Sequence, residues 1–120
     1  MTDLPAPFQS MLNAWNEPEP DKIRSHLDKA LSADVEFCDP NYHITGIDAF
    51  EQMIREFKAQ YPTAKAQHTS GLDHHHNRYR YAWLVSVDGD PVVPGLDVAT
   101  VDDDGKVCRI DGFFGDLPAL

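Results

Sequence analysis

Apolar residues recur at helical spacing in the first half of the chain and at alternate positions in the second. Phe8, Met11, Leu12 and Trp15 fall on one side of a helix. The run Glu17-Pro18-Glu19-Pro20 ends it, because proline cannot continue the helical hydrogen-bond ladder. Asp21 reads as the N-cap of a second helix with Ile23, Leu27, Ala30 and Leu31 on one face. Residues 35–39 then alternate as a strand, and 41–46 read as a loop. A third helix carries Ile47, Phe50, Met53, Ile54, Phe57 and Tyr61 and stops at Pro62. From residue 64 the pattern is that of strands. Residues 64–73 and 78–88 flank a turn at 74–77, and Asp88-Gly89-Asp90 is a hairpin signal. Residues 96–101 and 106–114 flank a second tight turn, Asp102-Asp103-Asp104-Gly105. Three helices, an early strand and a four-stranded antiparallel meander make an α+β plan, and a curved sheet wrapped over helices leaves a cone-shaped cavity at one end.

Composition narrows this to one domain spanning residues 1–120, since 120 residues bury one core and are too few for two typical domains. With 42% hydrophobic and 25% charged residues, the chain has the make-up of a globular protein. A net charge of −10 argues against nucleic acid or an anionic membrane as partner. No apolar run has the length to span a bilayer. The start, Met1-Thr2-Asp3-Leu4-Pro5, lacks the basic and apolar regions of a signal peptide, so a cytoplasmic location is expected. Cys38 and Cys108 are then expected to be free thiols facing away from the core.

Candidate chemistry centres on two carboxylates in apolar strands. Val35, Phe37 and Asp39 share one strand face, as do Asp97, Ala99 and Val101. A carboxylate is costly to bury without a partner, so two at apolar faces suggest a pocket that tunes ionisation. The alternative is that each sits solvated at a strand end. Trp83 shares its parity with Tyr81, Val85 and Val87, and Ile110 shares a face with Phe114 across Gly112, a glycine that leaves space beside the sheet. The direction of His68 is open, because one bulge would flip it. His74-His75-His76 reads as a solvated hairpin tip and Asp102–Lys106 as a turn lacking the first ligand of a calcium loop, so neither is read as a metal site.

The layout resembles the nuclear transport factor 2-like, or SnoaL-like, superfamily with its cystatin-like cone fold. The resemblance rests on Ala14-Trp15-Asn16, Phe37-Cys38-Asp39-Pro40, Thr45-Gly46-Ile47-Asp48-Ala49, Gly95-Leu96-Asp97 and Gly112-Phe113-Phe114-Gly115 in that order. It implies a pocket between sheet and helices and a homodimer through the outer sheet face, with Cys108 and Val98 in the outward set. Ketosteroid isomerases in this superfamily place their general base at an Asp before a proline, matched by Asp39-Pro40, and a protonated Asp in the oxyanion hole, which Asp97 resembles. Their helix tyrosine corresponds to Met11, which cannot donate a hydrogen bond. Dehydratase- and cyclase-like members use a His with an Asp, a part open to His43 or His68.

The expectation is therefore a cofactor-independent isomerase, dehydratase or cyclase acting on a small hydrophobic carbonyl compound. Asp39 and Asp97 would be catalytic, and Met11, Trp15, Phe37, His68, Tyr81, Trp83 and Phe114 would contact substrate. The alternative is a non-catalytic module binding a small molecule in the same cone. Burial should raise the Asp97 pKa, while Asp39 at its strand end keeps more solvent.

Overall fold

The computed structural model describes residues 4–120; residues 1–3 of the start weighed above as a leader lie outside the described residues. Helix α1 (Ala6–Asn16) opens with proline, whose missing N–H costs nothing at a helix start. It buries Phe8, Met11 and Ala14. Helix α2 (Ile23–Ala30) follows a 3-10 turn at Pro20–Lys22. Asp21 lies within that turn and α2 has no side-chain cap, so Asp21 is not its N-cap; it faces Arg55 at 3.6 Å instead. Helix α3 (Ile47–Gln60) buries Phe50, Met53 and Ile54.

Seven strands form one sheet in the order β2-β1-β7-β6-β5-β3, with β4 also paired to β5. They are β1 (Leu31–Cys38), β2 (His43–Thr45), β3 (Lys65–His68), β4 (Asp73–His75), β5 (Arg78–Val87), β6 (Asp90–Val101) and β7 (Val107–Phe114). All pairings are antiparallel except β1 with β7. Strand β1 starts at Leu31, four residues before the predicted start, because Leu31 pairs with Val107 rather than ending α2. The predicted 41–46 loop contains β2, folded back so that Cys38 pairs with His43. The predicted 64–73 strand is two pieces. Between them Ser70 accepts the Ala82 N–H through its hydroxyl at 2.8 Å, and the Thr69 N–H bonds the Ala82 carbonyl at 2.9 Å. This interruption bends the sheet edge.

One sheet face packs on the helices around a core of Phe8, Ile23, Leu27, Phe50, Ile54, Val35, Val107 and Ile110, each almost fully buried. Three polar side chains tie the helices to the sheet and to each other. The Asn16 amide donates to the Ala66 carbonyl and accepts the Ala66 N–H, both at 2.8 Å, so it acts as a strand partner for β3. Lys58 donates to the Trp15 carbonyl at 3.0 Å, satisfying an orphan at the end of α1. Lys106 does the same for α2 through the carbonyls of Asp28 and Lys29. No helix among the described residues is long and apolar enough to cross a membrane.

Candidate active site

The pairing register arranges the concave face in rows. Phe37, Ile110, Ala99 and Tyr79 stand level across β1, β7, β6 and β5 and form an apolar row. Two residues further along each strand, Gly112, Asp97 and Tyr81 stand level, and Asp39 follows Cys38, which pairs with Asp111. The next row is Phe114, Gly95, Trp83 and His68. The carboxylates thus lie in one row between an apolar row and an aromatic one.

Two glycines make room in these rows. A Cβ on Gly112 would lie 2.8 Å from Asp97 Oδ1 and 3.3 Å from the Asp39 Cβ. The missing side chain therefore lets the two aspartates flank one point of the backbone. A Cβ on Gly95 would lie 2.1 Å from the Trp83 ring, so the indole lies directly over that glycine. From there Trp83 Nε1 donates to Asp97 Oδ1 at 2.9 Å, and the Tyr81 hydroxyl donates to Asp97 Oδ2 at 3.2 Å.

These contacts set the ionisation of Asp97. Burial pushes its pKa up to about 6; the Trp83 and Tyr81 donors oppose the rise, and nearby Asp39 adds a smaller push upward. Burial, then the Asp97 charge, holds the Tyr81 hydroxyl well above its ordinary value. Asp39 is organised differently. Its Oδ1 accepts the backbone N–H groups of Asn41 and Tyr42, both at 2.8 Å, in an Asx-type turn after Pro40. No donor occupies its other oxygen among the described residues. His68 stacks on Tyr81 with ring centroids 4.4 Å apart, its Nδ1 is buried without a partner, and burial lowers its pKa.

The residues surround a cavity of about 180 Å³. Asp39, Asp97, Met11, Trp15, Phe37, His68, Tyr81, Trp83 and Phe114 all line it. Val85 does too, whereas Val87, beyond the bulge that follows Val85, does not. His43 is not brought in: it sits on β2, exposed, with Nε2 2.8 Å from Glu36. His74 and His75 belong to β4, and no group of three metal-ligating side chains occurs among the described residues. The lining also includes Leu12, Phe50, Met53 and Phe57 from the helices, and Asn41, Tyr42, Gln67 and Val93. The helical four were visible as apolar faces. Asn41 and Tyr42 carry only the turn signal of Asp-Pro-Asn, and Gln67 has no signal in its strand pattern.

No protein-family model matches the sequence, and no curated protein does. Solved structures do. A SnoaL-like family protein from Agrobacterium tumefaciens, named as a candidate isomerase, superposes with a TM-score of 0.85 at 26% identity, covering 92% of this chain and 95% of that one. A nuclear transport factor 2-like protein of unknown function from an Exiguobacterium species gives 0.75 at 20% identity, covering 92% and 99%. A candidate polyketide cyclase from Sinorhizobium meliloti gives 0.72 at 18% identity, covering 92% and 95%. The chain has the nuclear transport factor 2-like, SnoaL-like fold.

Proposed function

On that fold, we propose a cofactor-independent isomerase, dehydratase or cyclase that moves a proton within a small hydrophobic carbonyl compound. The observation that carries this reading is the pair of aspartates flanking Gly112 in a mainly apolar and aromatic cavity. Asp39 is the base. Its Oδ1 is anchored by two amides, which orients the carboxylate. It takes a proton from the carbon beside the carbonyl. The C–H electrons move into the carbon framework and the carbonyl electrons onto oxygen. Asp97 in its protonated form donates a hydrogen bond to that oxygen, and this form dominates below about pH 6. The Asp39 acid then returns the proton to another carbon, or a leaving hydroxyl departs as water. Tyr81 replaces the absent helix donor only indirectly, by holding Asp97.

The test is incorporation of solvent deuterium next to the carbonyl of a small cyclic ketone, followed by NMR. Asp39→Asn should abolish incorporation and leave ligand binding within about threefold, a small change on the affinity scale. Asp97→Asn keeps a donor and should reduce incorporation less. Equal rates with wild type and Asp39→Asn would sink the assignment.

A second reading, a non-catalytic binding module, draws support from the occupied oxygens of Asp97 and from Met11 where a donor would otherwise stand. Either reading includes a homodimer through the outer sheet face. There Leu96 and Phe113 are cross-strand partners and 39% and 66% exposed. A monomer mass in sedimentation at micromolar concentration would count against it. The free, half-buried thiols of Cys38 and Cys108 fit the reducing cytoplasm that this reading assumes.

A further inference from the structure

The dimensions and charge of the cavity bear on what enters it. An apolar protein cavity of roughly 150 Å³ holds a benzene-sized molecule, and drug-sized ligands occupy roughly 300–1,000 Å³. At about 180 Å³ this cavity, which opens to solvent on one side, encloses a volume at the one-ring end of that range. Its walls are rigid aromatics packed edge to face. Trp83 meets Phe114 at 5.7 Å, and on the helix side Trp15 meets Phe50 and Phe57 at 6.3 and 5.7 Å. Trp83 also fills the space above Gly95 and is tied to Asp97, so widening the cavity on that side would break a hydrogen bond to a carboxylate.

The charge pattern is equally restrictive. The lining contains two aspartates and no lysine or arginine. His68 supplies no compensating cation near neutral pH, because burial lowers its pKa. The whole chain carries a formal charge of −10. An anionic ligand would have to enter against this field and rest beside Asp39 and Asp97 without a counter-charge.

Resting on the acid–base reading above, we infer that the substrate is an uncharged carbonyl compound of a single ring, and that polycyclic and carboxylate-bearing compounds are excluded. A ring of this size fits between Trp15, Phe57 and Trp83 with its oxygen toward Asp97 and its adjacent carbon toward Asp39. The Asn41 and Gln67 side chains at the wall offer neutral hydrogen-bonding groups and no charge.

The test uses the full chain and three probes: cyclohex-2-enone, the four-ring enone androst-4-ene-3,17-dione, and benzoate. Binding is read by saturation-transfer NMR and by the fluorescence of Trp15 and Trp83, the only two tryptophans and both in the wall. Cyclohex-2-enone should bind wild type and Asp39→Asn within about threefold of each other, with benzoate about tenfold weaker or more and the four-ring enone weaker still. Binding of benzoate or of the four-ring enone as tight as the one-ring enone would overturn the inference, as would no binding of cyclohex-2-enone. Turnover of cyclohex-3-enone to cyclohex-2-enone is measured separately by absorbance; the proton lost from C2 returns at C4 and the double bond moves into conjugation. One-ring binding with turnover that needs Asp39 supports both readings. One-ring binding without turnover supports the size and charge inference and overturns the acid–base reading.

Discussion

Replacing Asp97 with Asn should stabilise the protein at neutral pH and do little at acid pH. Burial holds the folded-state pKa of Asp97 at about 6 against an ordinary value of 3.8. The folded protein therefore binds this proton more tightly than the unfolded chain does. Stability associated with the protonated carboxyl is fully present below the unfolded value and is lost as pH rises through the folded one. The gap of 2.2 between those values, at 1.36 kcal/mol per pH unit, sets the loss at about 3 kcal/mol by pH 7.5. At pH 4 the same linkage leaves about half a kcal/mol. Asparagine escapes the penalty because it carries no charge. Its oxygen can accept the Trp83 Nε1–H now given to Oδ1, and its amide can donate to the Tyr81 oxygen. The stability difference between Asp97→Asn and wild type, from urea unfolding, should thus widen in favour of the variant by about 2 to 2.5 kcal/mol from pH 4 to 7.5. A difference that stays constant or narrows would show that the two donors outweigh burial and that Asp97 is an ordinary carboxylate. The acid–base pairing would lose its physical basis with it.

Four other substitutions test the geometry of the site and of the sheet. Trp83→Phe removes the shorter of the two donors to Asp97 and should raise the midpoint of its carboxyl-carbon NMR titration by about one to two pH units, with Tyr81→Phe moving it less; a fall in either variant would contradict the assigned causes. Gly112→Ala places a methyl group 2.8 Å from Asp97 Oδ1. It should cost about 1 to 3 kcal/mol in urea unfolding and lower deuterium incorporation more than it weakens ligand binding, and wild-type values for both would refute the role of the glycine. Asn16→Ala leaves the Ala66 N–H and carbonyl without their partner and should cost about 1 to 3 kcal/mol, whereas a loss below half a kcal/mol would mean that water replaces the amide freely.

Much of the architecture was legible in the chain because each element states its own period. The helical faces of α1 and α3, the Pro-rich break after Asn16, the glycine turns at Gly89 and Gly105, and the parity that aligns Asp97 with Ala99 all depend on near neighbours. Apart from Asp21, which lies in a 3-10 turn rather than capping α2, the differences fell where a distant strand decided the outcome. Leu31 had apolar spacing that suited α2, but pairing with Val107 drew it into β1. Residues 43–45 looked like loop until β1 supplied an edge for them. The interruption at Ser70 arises from a side chain bonding β5, which no local pattern announces.

The site divides in the same way. Alternation put Asp39 and Asp97 on inward strand faces, and the fold lines one cavity with both and with Tyr81, Trp83 and Phe114. Only the folded sheet determined that Gly112 lies against the Asp97 carboxyl and the Asp39 Cβ, that Trp83 lies over Gly95, and that Trp83 and Tyr81 both donate to one aspartate. Those facts depend on the register of β1, β7, β6 and β5, set by long-range pairing and by bulges. A one-residue slip would turn every one of these side chains to the other face. Local sequence can encode which residues are apolar and which alternate. The pKa of Asp97 depends on how much water is removed around it and on who donates to it, and both are properties of the folded cavity.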